Sequence, residues 1–179
     1  MSFVQGVMQF VGLVLLCVLA AVVYGIVHDQ ITARICVEYF TVFHPPVIES
    51  DSPTLQGLVW GVIATWWVGL GLGVPLAIAA RAGAWPQRDI AWCVRPVTIL
   101  MLICGACALI AGLVAYLLQS SSALHLSPSY VQRLPSGHRY GFLIAAFAHN
   151  ASYASGFIGG WILIFGTAYG RWRESRRRR

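Results

Sequence analysis

The sequence predicts an all-α membrane protein, with four transmembrane helices and a short strand-like or irregular outer cap between helices 1 and 2. Three observations carry this. Four stretches are apolar, nearly free of charge, and long enough to cross about 30 Å of hydrocarbon at 1.5 Å per residue. Of 179 residues, 10% are charged and 58% hydrophobic, with mean hydropathy +0.72; a soluble domain carries about 25% charged residues. The arginines are also segregated between alternate connections.

The first span covers residues 3–27, an uncharged run. A secretory signal is the rival reading, because Val18-Leu19-Ala20 resembles a cleavage site. No Lys or Arg precedes the apolar run, however, and the run continues past Ala20, so a retained helix is expected. The outer cap follows over residues 28–56. Ile31, Ala33, Ile35, Val37 and Tyr39 alternate with Thr32, Arg34, Cys36, Glu38 and Phe40, which predicts a short strand; a helix is the alternative. Either reading sets Arg34 and Glu38 on one face and predicts that they pair.

His44-Pro45-Pro46 closes that segment. Ser52-Pro53 then reads as a helix N-cap with proline at the first helical position. The second span covers 57–80, with Gly57 and Gly61 four apart, Trp66-Trp67, and a kink expected at Pro75. Pro96 is expected to open the third span, 96–118. Residues 119–137 form a polar outer loop in which Ser127-Pro128 starts a short helix. The fourth span covers 138–169, longer than a bilayer requires, and residues 170–179 are a tail, RWRESRRRR in its last nine. The whole chain is one transmembrane domain.

All twelve basic residues are Arg. Nine of them fall in the 81–95 connection and the tail, which by the positive-inside rule places both termini in the cytoplasm. The basic tail reads as a lipid-facing anchor and not as a nucleic-acid surface. Among the cysteines, Cys104 and Cys107 form a CxxC, but within an apolar span, where small-residue packing outweighs redox or zinc chemistry.

This orientation puts His28, His44, His125, His138 and His149 on the outer side, together with Asp29, Glu38, Glu49 and Asp51. The candidate polar cluster is His28, Asp29, Arg34, Glu38, His44, His149 and Asn150. His149 lies inside a span, where an ionisable residue marks a site by default. It is expected to face the bundle interior, on a face shared with His138, Ser152, Gly156 and Gly160, and to find its partner in the second span or the cap.

Three functional readings stand open. In the first, the polar groups pair with one another and the protein is a non-enzymatic accessory or interaction component. Its Gly-rich helix faces could then hold a protein partner or a second copy. In the second, the outer histidines bind a metal or haem in a small redox protein. In the third, Trp60, Trp66, Trp67, Tyr153 and His149 line an outer-leaflet pocket for a quinone or lipid. No GxSxG or phosphate-binding glycine loop is present, so no catalytic residue and no cofactor is assigned.

The run Tyr24-Gly25, His28-Asp29-Gln30, Thr32, Arg34, Glu38-Tyr39-Phe40-Thr41 and His44-Pro45 resembles the signature of a family of uncharacterised bacterial four-span integral membrane proteins. The likeness is looser through SPTLQGLVWGVIATWWVG and HNASYASGFIGG. The resemblance implies four spans in a bacterial inner membrane and no particular activity.

Overall fold

The structure is a computed structural model that describes residues 3–119 and 126–179. In chain order it comprises α1 (Phe3–Ile35), α2 (Glu38–Thr41), α3 (Pro53–Ile63), α4 (Trp66–Arg81), α5 (Ile90–Leu118), α6 (Pro128–Arg133), a 3-10 turn (Ser136–His138) and α7 (Arg139–Arg177). Among the described residues four helical stretches are long and apolar enough to cross a membrane, with α3 and α4 counted as one, and there are no strands. The protein is a multi-pass membrane protein. His125 and the other loop residues at 120–125 lie outside the described residues.

α1 packs against α3 and α4, and α5 packs against α7; contacts of α1 with α5 and of α4 with α7 join the two pairs. Consecutive spans are antiparallel, so the molecule has two ends. One carries α2, the 3-10 turn and the irregular segment at 42–52, and is called the cap end. The other carries the 82–89 connection and the arginine-rich tail.

The strand expected from the alternation in residues 31–40 does not form. α1 runs on to Ile35, and the Cys36 amide donates to Thr32 O at 2.9 Å. A lone strand would leave its backbone groups without a ladder, whereas a helix satisfies them within itself. Packing reinforces the choice, because Gly57 of α3 sits on the backbone of Asp29 and Gln30, where a Cβ would come within 2.9 Å. The cap is therefore the end of α1, one turn of α2, and an irregular connection.

The seam between α1 and α3–α4 repeats every fourth residue: Gly57, Gly61, Thr65, Gly69, Gly73, Ala77. A Cβ at Gly61 would lie 2.5 Å from Ile26 Cα, and one at Gly69 2.6 Å from Val18 Cα. Such small-residue rows let backbones approach and gain van der Waals contact where no hydrophobic drive exists. These glycines are spent on contacts within the chain. Along this row the second span is interrupted at Ala64–Thr65, while α4 continues through Pro75. Thr65 Oγ1 donates to Gly61 O at 2.5 Å, so the hydroxyl occupies a carbonyl that the interrupted ladder frees.

Two helix starts are capped by a side chain, and a third opens on Ser-Pro without one. Ser52 caps α3, its Oγ accepting from the Leu55 amide at 3.5 Å with Pro53 at the first position. Ser127-Pro128 begins α6. α5 starts before Pro96, because Asp89 Oδ1 accepts from the Trp92 amide at 2.8 Å and so caps the helix at Ile90.

The tail end is tied by one residue. Arg171 is 1% exposed and donates to Pro86 O (2.7 Å), Ala82 O (2.8 Å), Trp85 O (3.1 Å) and Ala79 O. These carbonyls belong to the end of α4 and the turn after it, which need partners once the helix stops. Arg88 pairs with Glu174 at 2.8 Å beside it. α7 thus stays helical to Arg177, beyond the residue 169 expected for the end of the span, and part of the tail is structural.

Candidate functional site

α1 lines the site with Ala21, Tyr24, Gly25 and His28 at helical spacing, with Asp29 at the next position; Tyr24 and His28 meet α7, while Ala21 and Gly25 lie against α3 and α4. α7 presents His149 and Ser152 towards them. Asp29 and His149 are buried, at 4% and 6% exposure, and His149 Nε2 lies 3.2 Å from Asp29 Oδ1. His149 Nδ1 lies 2.8 Å from Ala145 O. A carbonyl can only accept, so Nδ1 carries the hydrogen and Nε2 faces the carboxyl group. A single proton then lies between Nε2 and Asp29. It is held either as an imidazolium–carboxylate pair or as imidazole and carboxylic acid, and in both states the pair is neutral.

His28 packs edge-on to His149, with ring centroids 4.5 Å apart at 84°. Its Nε2 is buried and has no hydrogen-bond partner. Tyr39, on α2, stacks on the other side of His149 at 4.2 Å and 25°, and Phe40 meets it edge-on at 5.7 Å. The short helix therefore roofs the pair with aromatic rings. Burial pushes the Tyr39 phenol above its ordinary pKa, which keeps it neutral.

A cavity of about 420 Å³ extends from this group into the bundle. Its head is Tyr24, His28, Asp29, Thr65, His149 and Ser152, with Tyr24 Oη 2.7 Å from Ser152 Oγ. Its body is apolar and glycine-lined. Trp67, Phe157 and Trp161 also line it, and these are 57%, 69% and 44% exposed on the outside of the bundle, so the cavity opens sideways between α4 and α7. Gly71 lies on this wall, and a Cβ there would meet nothing within 4 Å.

Of the residues singled out from sequence, the structure brings together His28, Asp29 and His149. The pairing expected between Arg34 and Glu38 is absent. The break at Cys36–Val37 separates them, and Arg34 bonds Gln30 Oε1 (2.6 Å) and Thr54 Oγ1 (2.9 Å). Glu38 Oε1 instead meets His138 Nδ1 at 2.5 Å, and Glu38 Oε2 accepts from Cys36 Sγ at 3.3 Å. Partial desolvation pushes the Glu38 carboxyl up. Hydrogen bonds from its own amide, from Cys36 and from His138 outweigh this and hold it below its ordinary value. Burial, and then the bond to Glu38, pushes the Cys36 thiol up to about 12. His138 thus sits in the turn before α7, half-exposed and away from His149.

His44 lies above the site, with Nδ1 2.7 Å from Tyr39 O and its ring 4.8 Å from Trp60. Asn150 is exposed. Trp60 packs against His44 and Trp66 is exposed on the outside, so of the expected aromatic lining Trp67 and Tyr153 meet the cavity. Tyr24, Gly71 and Cys104 of the wall were not expected. Tyr24 and His28 are one helical turn apart, so reading α1 as a helix beyond residue 27 would have found that face. The five cysteines are free, and Cys104 of the CxxC packs near Gly156.

Fold and site together define a multi-pass membrane protein with a His–Asp–His group at the head of a side-opening cavity. No family model, curated protein or solved structure matches the chain.

Proposed function

We propose that this is a multi-pass protein of a bacterial inner membrane, with both termini cytoplasmic, that binds a lipid-soluble amphiphile in its cavity. The arginine distribution supports that orientation and puts the cap end at the outer face. The observation that carries the binding reading is the cavity itself. A largely apolar volume opens towards the lipid-facing surface and ends on a few convergent polar groups, one of which, His28 Nε2, lacks a protein partner. Ligand sites have this composition. The matching ligand has an apolar body and a head that takes hydrogen bonds from His28 and its neighbours, a chemistry shared by quinones and lipid headgroups. The role is that of a binding component.

Quenching of tryptophan fluorescence by a short-chain ubiquinone, and separately by a short-chain phosphatidylglycerol, tests this in detergent-purified protein. Saturable binding of one of them is expected, weakened about tenfold or more by Gly71→Leu, a difference of about 1.4 kcal/mol. A Cβ at that position meets nothing within 4 Å, so the substitution adds bulk to the cavity wall without straining the backbone contact. Failure of both probes to saturate would overturn the reading. A reporter fused after Arg179 is expected to be cytoplasmic, and a periplasmic signal would reverse the orientation.

A further inference from the structure

We propose that His28, Asp29 and His149 form a binding site for a divalent first-row transition metal, zinc or iron(II), with an open coordination position on the cavity side. One ligating atom from each residue lies within 4.8 Å of the other two. Ligands about 2.1 Å from a tetrahedral ion stand roughly 3.4 Å apart. His149 Nε2 and Asp29 Oδ1 are already at 3.2 Å; the ion takes the place of the proton held between them, which is released to solvent, and turning the His28 side chain inward completes the set.

Three details match a metal site rather than a packed polar core. First, His149 donates its Nδ1 hydrogen to Ala145 O, the outer contact that orients a ligating imidazole and leaves Nε2 facing the ion. Second, four buried side-chain atoms lack a hydrogen-bond partner among the described residues, and the ring nitrogen of His28 is the one that stands in this cavity wall. Third, two imidazoles and one carboxylate suit zinc or iron(II) and not magnesium or calcium, which take oxygen ligands. The Asp29 carboxylate offsets part of the ion's charge in an apolar setting.

Tyr39 and Phe40 cover His149 from the cap, whereas all three ligands stand in the cavity wall. A fourth ligand therefore arrives from the cavity, as water or as the head of a bound molecule. The metal does not depend on the amphiphile, so each can fail alone; with the ion bound, His28 Nε2 is its ligand and the amphiphile's head meets the open position instead.

The test uses full-length protein in detergent, stripped with chelator and titrated with Co²⁺, whose visible bands report low-coordinate binding. Zn²⁺ and Fe²⁺ then compete for the site, and Mg²⁺ is the control. The expected result is one equivalent of Co²⁺, displaced by Zn²⁺ or Fe²⁺ and not by Mg²⁺. His28→Gln is expected to weaken binding about tenfold or more, while the melting point of the metal-free protein holds. Gly71→Leu is expected to keep the metal. Absence of stoichiometric binding, displacement by Mg²⁺, or wild-type affinity in His28→Gln would overturn the site. If His28→Gln disturbs folding, Asp29→Asn supplies the same reading, because it keeps the shape and removes the carboxylate; retained affinity there would also overturn the site.

Discussion

The two ends of the bundle bury charge in opposite ways. At the tail end, Arg171 spends four N–H groups on the carbonyls that end α4 and its turn, and Arg88 and Glu174 pair beside it. At the cap end, Asp29 and His149 pair across α1 and α7, yet His28 beside them is left with an unmet nitrogen in a cavity wall. One end closes a helix terminus and the other keeps donor capacity in reserve. Buried polar groups are expensive unless satisfied. Both ends leave a nitrogen without a partner among the described residues, Arg88 Nε at one and His28 Nε2 at the other, but of the two His28 alone stands in the cavity wall, so the cap end is where a ligand belongs.

The largest effect expected is at the tail end. Arg171→Met removes the partner of several carbonyls at once, and a loss on the order of 3 kcal/mol is expected, read as a lowered melting point in detergent. Binding by the folded protein at the cap end should be unaffected. A variant as stable as wild type would show that water serves those carbonyls as well, and the contrast between the ends would weaken.

Next comes His149→Leu, which strands Asp29 in the bundle at a cost of about 2 kcal/mol. The double variant with Asp29→Leu removes both polar groups and should lose less than the sum of the two single losses. Additive losses in a melting-point cycle would mean that the two residues do not act as a pair.

The smallest effect concerns pH at the surface of the cap. The folded pKa of Glu38 lies below its ordinary value of 4.5. The bonds that its own amide, Cys36 and His138 give the carboxylate therefore stabilise the fold above that value, and the contribution is lost as pH falls through the depressed one. Melting points followed downward from pH 5 should fall less steeply in Glu38→Gln than in wild type. Parallel curves would place the contact outside the stability balance.

Much of this architecture is legible from apolar length and capping chemistry, because each span must satisfy its own backbone in lipid. Ser52-Pro53 and Ser127-Pro128 mark their helices for the same reason, through local chemistry. Residues 28–40 mislead, since β-branched alternation reports a preference that holds only where a partner strand exists, and here α3 packs on Asp29 and Gln30. Arg34 and Glu38 separate because a break at Cys36–Val37 is set by tertiary packing. His149 could be recognised as an interior residue because polarity within a span has one economical outcome. Its contact with His28, and the cavity beyond, depend on how closely the glycines of α3 and α4 let α1 approach. The Arg171 contacts were hidden in a run of arginines whose composition looks generic.

The central claim is that His28 at the cap end is reserved for a ligand and not for stability, and His28→Leu tests it most directly. Thermal unfolding and binding of short-chain ubiquinone or Co²⁺ would be measured on the same preparation. The account predicts a melting point lowered less than in His149→Leu, since no protein partner of Nε2 is lost, together with weakened binding of the species that wild type takes up. A melting point lowered as far as in His149→Leu, with binding intact, would contradict it.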